Sequence, residues 1–430
     1  MRLLIHGADV LPGTAGLKGG PADILVEGER IAAISAQRLP EEGASRVLDG
    51  SGLLAVPGLV NCHNHVAMTL LRGYGADLPL QRWLEERIWP AEARLTDEDV
   101  HAGALLGCLE MLRGGVTAFA DMYDHMDAVL EAVLTTGIRA SLSRGVIGLG
   151  PSWEGALREG EELCRQVART GRGRVSAMLA PHAEYTCPTE VWDAAVALAR
   201  ELGVPIHTHL SETAAEQRGC HERHGSSPVR FLAERGVLEV GLLAAHGVHL
   251  EPEDLALLAR PGVAVAHNPV SNAKLGSGVA PLVALLEAGV LVGLGSDGAA
   301  STDTLGLWEE LRLAGWLQKA ILQDAAAVAA PSLWSLATVG GARALHLPEG
   351  TGLLVPGAPA DLVLLRQDGL HRAPILDPWS SLVYTTRDAD VVVTVVAGRP
   401  VMEHGEFPGI DHERIAADVS ARARRLLEDR

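Results

Sequence analysis

Apolar positions along the 430-residue chain follow two alternating rhythms. Short apolar runs that stop at Gly, Asp or Asn read as strands, and stretches with apolar residues three or four apart read as amphipathic helices. At the N-terminus, RLLIHGADVL, DILVEGERIAAI with a Glu-Gly-Glu turn in its middle, and RVLDGSGLLAV are β-rich. Towards the far end, ADLVLLR and DVVVTVVAGRPVM, the latter with an Ala-Gly-Arg turn, read alike. Two β-rich flanks around a different middle predict a small β-sandwich domain built from both termini. The stretch from His412 to Arg430 is amphipathic and Arg-rich and predicts a closing helix.

The middle alternates. Strand-like runs occur at LLAVPGLVNCHNH, TAFADMY, ASLSRGVIG, VSAMLAPHA, PIHTHLSE, LLAAHGV, VAVAHNP and LVGLGSDG. Helix-period stretches such as DEDVHAGALLGCLEMLRGG and TEVWDAAVALARELG lie between them. Thr96, with Asp99 three residues on, is a capping-box-like start for the first of these, and Gly114-Gly115 ends it. Strands alternating with helices predict an α/β fold, a TIM-type (β/α)8 barrel. The doubly wound alternative is weaker, because no GxGxxG follows the first strand. The expected division is 1–56 for the first half of the sandwich, 57–355 for the barrel, and 356–430 for the second half plus the closing helix.

Composition narrows the function. Hydrophobic residues at 47% and charged residues at 21% describe a folded globular chain. Lys+Arg of 36 against Asp+Glu of 54 gives −18, an acid excess that argues against nucleic acid or an anionic membrane as partner. The start lacks an adequate signal-peptide core, and no apolar run approaches the ~20 residues of a spanning helix. The five cysteines are scattered without a CxxC pair. That argues against a disulfide framework or a zinc ribbon and fits a reducing cytoplasm.

In such a barrel the chemistry gathers at the C-terminal ends of the strands. The strand ends carry His63 and His65, Asp121, Arg144, His182, His209 with Glu212, His246, His267, and Asp297. His63 and His65 are two apart on a strand, so both imidazoles face the same side. An isolated H-x-H is more often a pair of ordinary histidines; here further ligand-type residues end strands five, six and eight. His207 and His209 share a face, and spacing does not decide which is the ligand. Asp297 is either a helix cap or a ligand. Two His from strand one, one from strand five and an Asp from strand eight form a mixed N/O set. That set suits one divalent ion, Zn²⁺ first and Fe²⁺ or Mn²⁺ next, with a position open for water. Binuclear barrels of this type bridge two metals through a modified Lys on strand four. The only lysines are Lys18, Lys274 and Lys319, none on that strand, which favours a single metal. Asp121 reads as structural, His267 and Asn268 as shaping the end of strand seven, and His101, His125, His221 and His224 as solvated.

At these residues the chain resembles the amidohydrolase superfamily, and in particular its 5-methylthioadenosine/S-adenosylhomocysteine deaminase family. The resemblance spans nearly the whole chain and is carried by CHNHVAMTLLRGYGADLPLQRWLEERIWPAEARLT, EMLRGGVTAFADMY, HTHLSET, AAHGVHL, AHNPVSNAKLGSGVAP and GSDGAAS…LWEELRLA. It implies His63, His65, His209 and Asp297 as metal ligands. It implies Glu212 as the carboxylate that protonates the purine ring nitrogen, His246 as the group holding the attacking water, and Asp297 as acceptor of that water's proton. Trp83, Glu92, Arg144 and His182 match substrate contacts, with Glu92 placed for ribose hydroxyls, and Ser301 matches a position near the variable end of the substrate. The implied reaction is attack of hydroxide held by the ion on the amino-bearing carbon of an adenine nucleoside, giving the inosine analogue and ammonia. The implied protein is a cytoplasmic homo-oligomer, dimer or tetramer, with a small-molecule nucleoside as its partner.

The sequence departs from the family at one point. A second Arg that follows the Arg144 position in some members is missing from GVIGLGPSWEGALREG, where Arg158 is out of register. That puts S-adenosylhomocysteine in doubt more than methylthioadenosine or adenosine, which carry no carboxylate. Two other functions compete: a deaminase or chlorohydrolase of a free heterocycle (a guanine-type base, 8-oxoguanine or a triazine), and a catalytically silent barrel used as a scaffold.

Overall fold

The computed structural model describes every residue except Ala15, Leu17, Lys18, Gly150, Pro151, Ser152, Arg172, Asp429 and Arg430. Eight parallel strands run in chain order: β1 (Leu59–Asn61), β2 (Val116–Tyr123), β3 (Arg139–Val146), β4 (Val175–Pro181), β5 (Ile206–Leu210), β6 (Leu242–His246), β7 (Val263–His267) and β8 (Leu291–Leu294). The Cys62 N–H donates to the Leu294 carbonyl at 2.7 Å, and the Asp297 N–H donates to the His63 carbonyl at 2.9 Å. First and last strands therefore meet, and the sheet closes into a TIM-type barrel. Most strand residues are buried on both faces, as expected when helices cover the outside and side chains fill the inside.

The apolar run LLAVPGLVN looks single but forms two strands in two sheets. Leu53–Pro57 belongs to the terminal sheet and β1 to the barrel. Gly58 joins them against Thr117, where a Cβ would lie 2.2 Å from the hydroxyl oxygen, so no larger residue fits.

The terminal sheet draws Arg2–Val10, Gly20–Glu27, Arg30–Ser35, Arg46–Asp49 and Leu53–Pro57 from one end of the chain. It draws Leu362–Arg366, Val391–Val396 and Arg399–Glu403 from the other. Leu53–Pro57 pairs antiparallel with Leu362–Arg366, which stitches the two ends together. The sheet encloses its own core of Leu3, Ile5, Ile24, Val26, Leu364 and Val393, among others. Its hairpins turn where the sequence carries Gly: at Gly28 (φ 63°), and at Ala397-Gly398 (φ 49° and 72°).

Helix Asp97–Arg113 starts with the expected capping box. Thr96 Oγ1 accepts the Asp99 N–H, and Asp99 Oδ2 accepts the Thr96 N–H. The closing helix His412–Glu428 docks on this corner, with Arg422 and Arg425 donating to buried Asp99 Oδ1 at 2.9 and 2.5 Å. Among the described residues, no helix is long and apolar enough to cross a membrane.

Barrel and sheet are joined by a buried ion pair. Arg139, at the start of β3, donates from Nε to Asp361 Oδ2 at 2.8 Å, while Asp361 Oδ1 accepts the Ala397 N–H at 2.7 Å. Asp361→Ala removes both bonds and leaves a buried guanidinium without its counter-charge. The expected cost is ~3–5 kcal/mol, read as a lower denaturant midpoint. A loss below ~1 kcal/mol would contradict the pairing.

Candidate active site

The strand ends converge on one centre. His63 and His65 follow β1, His209 is on β5, His246 ends β6, and Asp297 follows β8. The ring hydrogen bonds fix which nitrogens face inward. His63 Nδ1 lies 2.9 Å from His207 Nε2, and His207 Nδ1 lies 3.2 Å from Ser143 Oγ, which donates to the Asp121 carbonyl at 2.6 Å. The chain of donors closes only if His63 donates from Nδ1, so its Nε2 carries a lone pair. His65 Nδ1 donates to the Met122 carbonyl at 2.5 Å, and His209 Nδ1 to the His182 carbonyl at 2.9 Å. Their Nε2 atoms, 3.2 Å apart, likewise face inward.

Asp297 Oδ1 lies 3.4 Å from His63 Nε2 and 3.2 Å from His65 Nε2. Its Oδ2 accepts from Ser271 at 2.6 Å and Ser301 at 3.0 Å. Three ring nitrogens and a carboxylate oxygen thus crowd together. His63 Nε2 is buried without a hydrogen-bond partner among the described residues. Such a donor set fits a divalent cation, with outer partners that fix each tautomer. His207 lies behind His63, bonded to its Nδ1, and His209 turns its Nε2 towards the centre.

Electrostatics agrees. Burial holds His63 at about 4, so it is neutral at physiological pH. Burial works against charge on His65 too, but the Asp297 carboxylate outweighs it and lifts His65 to about 9. Asp297 is buried, yet His63 and His65 hold it well below the usual carboxylate range. One proton thus sits between His65 and Asp297, where a cation competes for the same electrons. Burial and the nearby Asp297 charge raise Glu212, against the pull of His246 and the Ser277 hydroxyl. Glu212 Oε2 is 3.7 Å from His246 Nε2, and its Oε1 accepts from Ser277 at 3.2 Å. His246 Nδ1 donates to Asn272 Oδ1 at 2.9 Å, leaving its Nε2 free to accept.

A single cavity joins these groups. It is lined by His65, His182, His209, Glu212, His246 and Asp297 at its floor and by Trp83, Trp89, Glu92, Tyr123, Arg144, Ile147, Tyr185 and Leu275 above. Trp83 and Glu92 sit on the helical segment 80–92, which contains a π turn at Leu84–Ile88; such bulges often mark functional sites. Burial pushes Glu92 up to about 7. Burial also takes His182 down to about 3, and its Nδ1 meets Thr186 Oγ1 at 3.0 Å.

Other residues sit differently from the sequence reading. Ser301 is buried against Asp297 and does not line the cavity, because its helical turn packs beneath the carboxylate. His125, expected in solvent, lines the cavity in a left-handed conformation and pairs with Asp97 at 2.6 Å. His221 and His224 are exposed, in line with the sequence reading, and pair with Glu251 and Glu184. Asp121 Oδ1 accepts the Val66 N–H at 2.7 Å and so fixes the chain leaving His65. Arg144 reaches the cavity but is already shared by Asp124 and by Glu159 at 2.7 Å, while Arg158 is exposed outside it. Of the lysines, Lys274 pairs with Asp303 and Lys319 lies over Tyr384; Lys18 is outside the described residues. Sequence reasoning missed Tyr123, Tyr185, Trp89, Ser271, Asn272 and Ser277. The last three lie in the run NPVSNAKLGSG and bond to Asp297, His246 and Glu212 respectively.

Residues 54–401 match the amidohydrolase family. The chain belongs to that family. Within it, this amidohydrolase groups with the 5-methylthioadenosine/S-adenosylhomocysteine deaminases. It is 46% identical over 430 residues, all of both chains, to the protein of that name from Desulforudis audaxviator (strain MP104C). It is 42% identical over 426 residues to a 5'-deoxyadenosine deaminase of Methanothermobacter thermautotrophicus, covering 99% of this chain and 98% of the other. Among solved structures, an adenosine deaminase from Xanthomonas campestris with bound zinc superposes with a TM-score of 0.93 at 32% identity, covering 99% and 98% of the two chains. An atrazine chlorohydrolase from Arthrobacter aurescens complexed with zinc gives 0.89 at 28% identity, covering 98% and 100%.

The His207 bridge makes its own prediction. His207→Ala frees His63 to rotate and should weaken divalent-ion affinity ~10–100-fold, measured as zinc retained against a competing chelator. Unchanged retention would show that the bridge is only packing.

Proposed function

We propose that this chain is a hydrolase of C–N bonds that deaminates adenine nucleosides, converting a 5'-substituted adenosine and water to the inosine analogue and ammonia. The observation that carries the reading is a shared cavity: the raised carboxyl of Glu212 and the accepting Nε2 of His246 face each other 3.7 Å apart, with Glu92 on the wall above. His63, His65, His209 and Asp297 would hold one divalent ion, Zn²⁺ in the first instance. When bound, that ion supplies Lewis-acid activation of water at neutral pH.

The chain's own groups handle the protons. Glu212, favoured in its protonated form by burial, donates to the ring nitrogen next to the amino-bearing carbon, so the ring does not accumulate negative charge as it is attacked. His246, with Nδ1 tied to Asn272, presents Nε2 to orient the attacking water. Asp297 Oδ1 accepts a proton from that water, and a second transfer through the same groups lets the amino group leave as ammonia. Trp83 offers a face to the base, and Glu92 offers two oxygens to vicinal ribose hydroxyls.

Arg144, already matched by two carboxylates, supports a preference for nucleosides whose 5' substituent carries no carboxylate, such as methylthioadenosine. The five cysteines, all free and buried, support a reducing cytoplasm. Exposed Trp316, Ile321 and Leu322 support a homo-oligomer.

Relative catalytic efficiencies on adenosine, methylthioadenosine, S-adenosylhomocysteine, guanine and a triazine test the proposal. Methylthioadenosine or adenosine should lead. Glu212→Gln should lose ~10²–10⁴-fold in kcat. Glu92→Ala should lose ~10–100-fold in kcat/KM on nucleosides. Turnover of a free base or triazine that is indifferent to Glu92→Ala would overturn the nucleoside reading.

A further inference from the structure

The segment that carries Glu212 is bent in a way that needs external support. Ser211, between β5 and Glu212, has φ 53°, a left-handed conformation that a residue with a Cβ rarely adopts. Its carbonyl accepts the Val248 and His249 N–H groups at 3.0 and 2.8 Å, just beyond His246. The other side of the turn is held by one side chain. Glu216 Oε1 accepts the Ser211 N–H at 2.8 Å, and its Oε2 accepts the Glu212 N–H at 2.7 Å. Glu216 is buried in the first turn of helix Ala214–His224, whose cap is Thr213. At that position a glutamate ordinarily reaches back to the cap residue's own N–H. Here it passes over Thr213 and takes the two amides before it.

We propose that Glu216 is a positioning residue for Glu212: its two carboxyl oxygens clamp the two consecutive amides that aim the proton-carrying side chain at the ring nitrogen and at His246. Both oxygens are committed, one to each amide, so the direction of the Cα–Cβ bond of Glu212 is set by a bidentate acceptor at fixed distance. The strained φ of Ser211 is tolerated because the amides on one side and the carbonyl on the other are both held. A neutral amide in place of Glu216 keeps one acceptor and turns an N–H donor towards the other amide, so one arm of the clamp opens. Glu216 touches no substrate atom; it works through Glu212, and the inference rests on Glu212 being the proton carrier.

The experiment compares Glu216→Gln, Glu216→Asp and Thr213→Ala in the full-length, metal-loaded protein. Glu216→Gln and Glu216→Asp, the latter one methylene too short to reach, should lower kcat ~10–100-fold with KM within about twofold and unchanged zinc content. Thr213→Ala loosens the helix start without touching either amide. It should lower Tm while kcat stays within about threefold. In a Glu212→Gln background, adding Glu216→Gln should cost less than about a further twofold, since two residues acting as a unit are not additive. Wild-type kcat in both Glu216 variants, or full additivity in the double variant, overturns the proposal. Wild-type kcat in Glu212→Gln alone would instead overturn the reading of Glu212. If the variants do not fold, hydrogen exchange on the unmodified protein decides: slow exchange at Ser211 and Glu212 supports the clamp, and exchange at the rate of free loop amides refutes it.

Discussion

The site depends on where three imidazole protons are parked. His63, His65 and His209 each spend the Nδ1 proton on an outer acceptor: His207, the Met122 carbonyl and the His182 carbonyl. Three Nε2 atoms are thereby turned inward beside the Asp297 carboxylate. Burial holds His63 at about 4, so it carries no second proton, and the proton held between His65 and Asp297 is the one a cation would displace. Barrel closure brings the groups together. The bond from Asp297 N–H to the His63 carbonyl ties the last strand to the first at the level of the site. Strand order thus becomes ligand geometry.

Backbone strain collects in the same place. Among the described residues, His125, Ser211, His246 and Asp297 account for four of the ten non-glycine residues with positive φ, and all four lie in or next to the cavity. Each follows or ends a strand, where the chain must turn sharply to point a functional side chain over the barrel mouth. Such conformations cost on the order of 1–3 kcal/mol each and persist where surrounding bonds over-determine them. The bonds around Ser211 and Asp297 do this.

Much of the fold was legible because strand and helix periods differ and because parallel strands read as unbroken apolar runs. The candidate ligand positions stood out in the sequence because ligand-type side chains finish those runs. The terminal sheet was legible from its two flanks, although LLAVPGLVN itself shows no break in hydrophobicity where Leu53–Pro57 gives way to β1 at Gly58. The choice between His207 and His209 was illegible: both share a strand face, and the partner that claims His207 is 144 residues away. Ser301 was placed near the substrate by resemblance, whereas its hydroxyl points at the Asp297 carboxylate. His125 escaped notice because a left-handed residue before a helix carries no local signal.

X-ray absorption at the zinc edge of the full-length protein loaded with one equivalent of Zn²⁺ tests the central claim most directly. The account predicts one tightly held ion per chain in a first shell of nitrogen and oxygen only, with imidazole scattering and distances of about 2.0–2.2 Å. A sulfur ligand at about 2.3 Å, or failure to retain an ion in that shell, would contradict it.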